Sequence, residues 1–188
     1  MLWVIIGIIV LIVIILIFVV VGFNKLRKAD VQAQEALGGI DVQLTRRNDL
    51  IPNLVETVKG YASHERGVFD EVTAARAATG AAIQNGTVEQ KAIADQAMEN
   101  ALIKVMAVAE AYPDLKASTN FLNLQQQLQT TEDQLAFARQ YYNDAVSTLN
   151  TLVVTIPWML FNGMAKVAKR DFYKAPEGQT NPPAVNFS

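Results

Sequence analysis

Cysteine is absent from this chain, and histidine occurs once. The first absence removes disulfides and thiolate metal sites together, because cross-links need thiols in pairs and soft metals need sulfur. The second removes the common helical metal centres. A zinc protease needs a second histidine one turn after the first, and Val68 stands there after His64. A di-iron bundle needs two Glu-x-x-His pairs, which a single histidine cannot supply. His64, in Tyr61-Ala62-Ser63-His64-Glu65, is therefore read as a helix-end or turn residue. Glycine is sparse, and Gly38-Gly39 lacks the spacing and the lysine of a phosphate-binding loop. No serine stands in a pattern that suggests a Ser-His-Asp triad. A net charge of -2 gives no reason to expect nucleic acid. No cofactor and no enzymatic activity are expected.

Charge is also missing, completely, from Leu2 to Phe23. That run makes about 33 Å of helix, enough for a hydrocarbon core of about 30 Å. In lipid the backbone must satisfy its own hydrogen bonds, so helix is the solution open to a single segment. A cleaved signal peptide would have a basic start, a shorter apolar core and a small-x-small exit. Here the exit reads Val21-Gly22-Phe23-Asn24. Residues 1–24 are therefore expected to be an uncleaved transmembrane anchor. Lys25, Arg27 and Lys28 follow it with no Lys or Arg before it. The positive-inside rule then puts the N-terminus outside and the remainder in the cytoplasm.

Beyond the anchor, Ala, Gln, Leu and Glu dominate, a helical composition. Apolar residues at Leu26, Ala29, Ala33, Leu37, Ile40, Leu44, Ile51, Val55, Val58 and Ala62 step by threes and fours, with a gap at Arg47 and Asn48. Pro52 should kink this first helix, since it lacks a donor and crowds the carbonyl of Asn48. A second helix is expected over 63–84, with Ser63 available as cap and Phe69, Val72, Arg76 and Thr79 along one side. Asn85-Gly86 reads as a turn tolerant of positive φ. A third helix, 87–112, carries Met98, Leu102, Val105, Ala109 and Tyr112, and Pro113 forces a corner. The fourth shows the cleanest seam, from Phe121 and Leu124 through Leu128, Thr131, Leu135, Ala138, Tyr142, Ala145, Leu149 and Leu152 to Ile156. Pro157 should end it. The expectation is an all-α fold: the anchor helix continues into an elongated antiparallel four-helix, coiled-coil-like bundle over 25–156.

Helix lengths bring the end of the fourth helix back to the bilayer. Residues 157–174 form an amphipathic segment with two readings, membrane interface or ordinary core folded onto the bundle. The interface reading takes Trp158, Phe161 and Lys166 together with Lys25, Arg27 and Lys28. The tail at 175–188 is expected to be irregular.

The densest polar stretch on a helix otherwise expected to be buried is Arg46 to Val55. Arg47 falls in the stripe itself and needs a carboxylate from another helix, with Asp49, Glu132 and Asp133 as candidates. A structural network and a ligand or partner contact both remain open. The stretch from Arg46 to Glu65 closely resembles the signature of the LemA family of bacterial membrane proteins. Tyr112-Pro113-Asp114-Leu115-Lys116-Ala117 with Phe121 resembles its second block, and Ala138-Arg139-Gln140-Tyr141-Tyr142-Asn143 its third. The order, spacing and anchor agree, although Phe23-Asn24 and Ile156-Pro157 depart from the usual Tyr-Asn and Phe-Pro. The resemblance implies a single N-terminal span and a long antiparallel bundle, and carries no enzymatic role. The structural or interaction candidates are Arg46, Arg47, Asp49, Pro52, Asn53, Tyr61, His64, Glu65, Arg139, Tyr142 and Asn143. The expected function is a membrane-anchored scaffold. Its partners would be the lipid bilayer, further copies of the chain and unidentified proteins, and glutamines such as Gln125, Gln126, Gln127 and Gln129 are available for lateral contacts. The alternative is a ligand-sensing or signalling domain on the extracytoplasmic side, with a polar pocket around Arg47, Asp49 and His64.

Overall fold

In a computed structural model, α1 runs without interruption from Leu2 to Lys59. The structure describes residues 1–174, so the tail expected at 175–188 lies outside the described residues. No Gly or Pro falls between Asn24 and Lys28, and the helix crosses from the apolar run into the striped one. From Leu2 to Phe18 the apolar run is exposed on all sides, and the run is long and apolar enough to cross a membrane. A core helix of a soluble protein would bury such a surface. This one has lipid as its natural solvent, and the protein is a membrane-associated helical one.

Five further helices follow: α2, Arg66–Asn85; α3, Val88–Ala111; α4, Pro113–Lys116; α5, Thr119–Val154; and α6, Asn162–Ala165. A 3₁₀ turn, Trp158–Phe161, precedes α6. No strand occurs among the described residues. The start of α3 is fixed by a capping box: Thr87 accepts from the Gln90 backbone N–H while the Gln90 side chain accepts from the Thr87 N–H. Ser63 does not cap α2. That helix begins at Arg66, three residues later than expected, behind Glu65 and without a side-chain cap. Gly86 has φ −80°, so the turn before α3 makes no use of positive φ.

The chain divides into two compact units. One comprises Gly39–Arg139 with Tyr173 and Lys174. It contains a four-helix bundle made from the second part of α1, α2, α3 and the first part of α5. Glu71 pairs with Lys104, and Thr79 bonds toward Ala94, so α2 and α3 are antiparallel. Asp41 pairs with Lys91 and Arg47 with Asp95, so α1 and α3 run the same way. The core joins Ile51, Leu54, Val58, Phe69, Val72, Met98, Val105, Leu115, Phe121 and Leu128.

Pro52 does not break α1. It does leave the Asn48 carbonyl without its helical donor. The Arg76 Nε supplies one from α2, at 3.2 Å. Arg76 therefore sits exposed beside α1, while Ala75 occupies the buried stripe where Arg76 was expected.

The other unit comprises Met1–Gly38 and Gln140–Phe172. Leu26, Ala29, Ala33 and Ala36 of α1 are buried here, as are Tyr142, Ala145, Val146, Leu149 and Leu152 of α5. Ile156, expected to close the α5 stripe, is instead 79% exposed, because α5 ends at Val154. Across the break the helical axis turns by 87° into Trp158–Ala165. Helical structure in 157–174 is confined to these residues, and 167–174 has no regular secondary structure. Lys166 makes the corner in a left-handed conformation, φ 51°, and the next amide, Val167, closes on Asn162 O at 3.2 Å.

Candidate functional site

Arg47 is fully buried, and it does not break the α1 stripe but occupies it. Its Nη1 donates to Glu132 Oε1 at 2.7 Å and its Nη2 to Asp95 Oδ1 at 2.6 Å. Of the three carboxylates expected to pair with it, only Glu132 does. Asp49 lies two residues along α1, about 200° around the helix, and Asp133 is turned about 100° from Glu132. Both are exposed.

Asp95, on α3, is the hub. Its Oδ1 takes Arg47, and its Oδ2 takes the Arg139 Nη2 at 2.6 Å and the Tyr173 hydroxyl at 2.7 Å. The Arg139 guanidinium also lies 5.9 Å from the centre of the Tyr173 ring. Two cations and two carboxylates thus close a neutral set, with one phenol completing the oxygen of the most buried acid. One turn earlier on α3, Lys91 is bound by both oxygens of Asp41, at 2.5 and 2.7 Å. Burial opposes the charge on Arg47, but Asp95 and Glu132 outweigh it and hold its pKa above the ordinary value. Burial, with Asp95 adding to it, pushes the Tyr173 hydroxyl well above the phenol range. Tyr173 is therefore a neutral donor at physiological pH, and the cluster holds itself together rather than presenting a reactive group.

Sequence reasoning missed Asp95, Lys91 and Tyr173. Two of these carried a signal: stepping back from Met98 by three and then four lands on Asp95 and Lys91. Tyr173 carried none, because its segment is not helical and has no period.

The remaining candidates are dispersed. Arg46 donates to Gln134 at 3.0 Å, and with Asp49 and Leu50 it forms one wall of an open groove of about 590 Å³. Gln126, Gln127, Thr130 and Thr131 of α5 are on the facing wall. Asn53 lines a continuation of this groove with Asn123 and Gln127. Pro52 is exposed on α1, whereas Tyr61 and His64 are exposed in the turn before α2, whose N-cap is Glu65. His64, Asp49 and buried Arg47 are not brought together into a pocket. Among the described residues no three His, Asp or Glu side chains gather as metal ligands.

In the other unit Tyr142 is buried and donates to the Asp171 carbonyl at 2.8 Å. Burial raises its pKa, Arg170 opposing and Asp171 adding to the effect. Asn150 bonds both the N–H and the C=O of Arg170, whose Nε reaches Asp30 at 2.9 Å. Asn143 is half-buried nearby on α5. Of the residues expected at a membrane interface, Lys25 lies 4.0 Å over the Trp158 ring. Arg27 faces Asp30 at 3.6 Å, while Lys28 and Lys166 are exposed. Phe161 is turned into the protein, 6% exposed, with its ring 5.4 Å from that of Phe18.

The sequence model described as the LemA family matches residues 36–187. Magnetosome protein MamQ of Magnetospirillum gryphiswaldense is 26% identical over 174 residues, covering 79% of this chain and 63% of the relative. Magnetosome protein MamQ 2 of Paramagnetospirillum magneticum is 27% identical over 175 residues, covering 80% and 64%. The chain thus spans just under two thirds of the length of these curated relatives.

Proposed function

Because the chain belongs to the LemA family, we propose that it is a non-enzymatic, membrane-anchored helical scaffold that self-associates or gathers protein partners at a bacterial cytoplasmic membrane. The observation that carries this reading is the continuity of α1. A catalytic domain on a tether gains nothing from an unbroken helix through Asn24 and Lys28. A scaffold does, since the basic cluster is then held at the end of the span in every copy. The neutral, internally paired charge cluster supports the reading as well, because its groups are spent on one another. Lys25, Arg27 and Lys28 favour the cytoplasmic side for the bundle. The relatives described as magnetosome proteins are similar over most of this chain, and only that similarity is taken over here.

Chemical cross-linking of the full chain in membranes should yield dimers and larger species. A strictly monomeric chain at membrane-like density would sink the scaffold reading. A tag at the C-terminus should resist external protease on intact cells. Its removal would reverse the orientation and favour the extracytoplasmic sensor, whose one supporting feature is the open polar groove beside Arg46 and Asp49.

A further inference from the structure

The turn after α5 is held against the last turns of the apolar run at three places. Phe161 meets Phe18 edge-on, with ring centres 5.4 Å apart. Its ring also occupies the space that a Cβ on Gly22 would need. Trp158 lies beneath the Lys25 ammonium. These contacts fix the turn at the level where the apolar surface of α1 stops and its basic cluster begins. The turn nevertheless leaves Ile156 79%, Leu160 72%, Met164 50% and Met159 44% exposed. Those parts of their surface are covered by no described residue. Cations border this apolar surface: Lys25 and Lys28 on α1, and Lys166 and Lys169 after α6, are all exposed. From Ile156 to Arg170 the chain contains no acidic residue. Asp30 is already taken by Arg27 and Arg170, and Asp171 is the one exposed acid close by in sequence.

We infer that Ile156–Met164 is a second membrane-contact surface: an interfacial foot whose apolar side enters the acyl boundary beside the span, with its lysines on anionic phosphate headgroups. The inference rests on reading α1 as the span. Continuity with that span supplies the occupant, since a surface fixed to residues Phe18 to Lys25 shares their surroundings. Charge supplies the headgroup preference. Bulky apolar residues, an indole and bordering cations are what an in-plane segment needs. A buried core turn would have covered Ile156 and Leu160, and a solvent-exposed turn would not carry them.

The chain has two tryptophans, Trp3 and Trp158, so each can be isolated in the full-length protein. With Trp3→Phe in nanodiscs, acyl-chain bromine near the headgroup should quench Trp158 at least about two-fold more than bromine near the terminal methyl. Zwitterionic in place of anionic phospholipid should weaken that quenching. So should Ile156→Ser with Leu160→Ser, without loss of helix by circular dichroism. With Trp158→Phe, Trp3 reports on the span alone. Quenching of Trp3 without quenching of Trp158 overturns the foot and leaves the span standing; loss of both overturns the span and the foot with it. Cross-linking of Leu160→Cys to a second copy, with Trp158 shielded from lipid, would assign the surface to self-association and overturn the inference.

Discussion

The first and second parts of α1 belong to one helix and follow opposite rules. Before Gly22, bulky apolar residues face every direction and none is buried; from Leu26 on, most apolar residues keep to one stripe and are covered, with Val31 and Val42 left outside it. Ile12 and Val42 are each 51% exposed, yet they belong to different solvents. Exposure alone therefore says nothing about whether a residue is well placed. The contrast extends to charge. The apolar run tolerates none, while the second part buries an arginine completely because two carboxylates meet it there. Solvation by lipid is uniform around the helix, whereas solvation by protein is local and specific.

Asp95→Leu strikes that local solvation hardest. It leaves Arg47 with Glu132 as its one carboxylate and should cost about 3–5 kcal/mol in denaturant unfolding. A loss under about 1 kcal/mol would mean that water reaches Arg47. The sharpest test of the contrast is a pair of identical substitutions at equal exposure. Ile12→Arg should disfavour membrane insertion by about 2.5–3.5 kcal/mol, while Val42→Arg should stay within about 0.5 kcal/mol of wild-type stability. Equal effects at the two positions would erase the distinction.

At the boundary between the two parts, Gly22→Leu must displace the Phe161 ring. An effect of about 1–3 kcal/mol is expected, read as earlier thermal loss of the Trp158 signal. Tyr173→Phe removes a donor from buried Asp95 and should cost about 1.5 kcal/mol. The phenol has a folded pKa above its ordinary 10.0, so its contribution is complete below about pH 10 and fades as pH rises beyond that. Wild type should then lose stability above about pH 10 more steeply than the variant, with Tyr142 maintaining a smaller slope in both. The smallest effect concerns the carbonyl freed by Pro52. Arg76→Met should cost about 1 kcal/mol, and less in a Pro52→Ala background where the Asn48 carbonyl has a helical donor again. An equal cost in both backgrounds would mean that Arg76 acts by packing alone.

Much of the fold was legible because its cause is periodic. The stripes from Leu26 to Ala62 and from Phe121 to Leu152 mark the faces that are buried. Where two spacings fit equally, size misled: Val72 to Thr79 can pass through Ala75 or Arg76, and the small residue is the buried one. Arg47 announced its need for a carboxylate but not which one, because that depends on where a different helix points Asp95. The return of the chain past Asn150 and Tyr142 was invisible, being held by single side chains on backbone groups.

Gly22 steps onto Leu26, Ala29 and Ala33 by four, three and four, so the first residue of the buried stripe lies within the apolar run itself. The helix is therefore clocked. Adding one residue at Asn24 would turn the Gly22 notch by about 100° from the Leu26 face, whereas adding seven would return it nearly to phase. The apolar run has no preferred side toward lipid and would accept any rotation. Only the seat for Phe161 keeps the time.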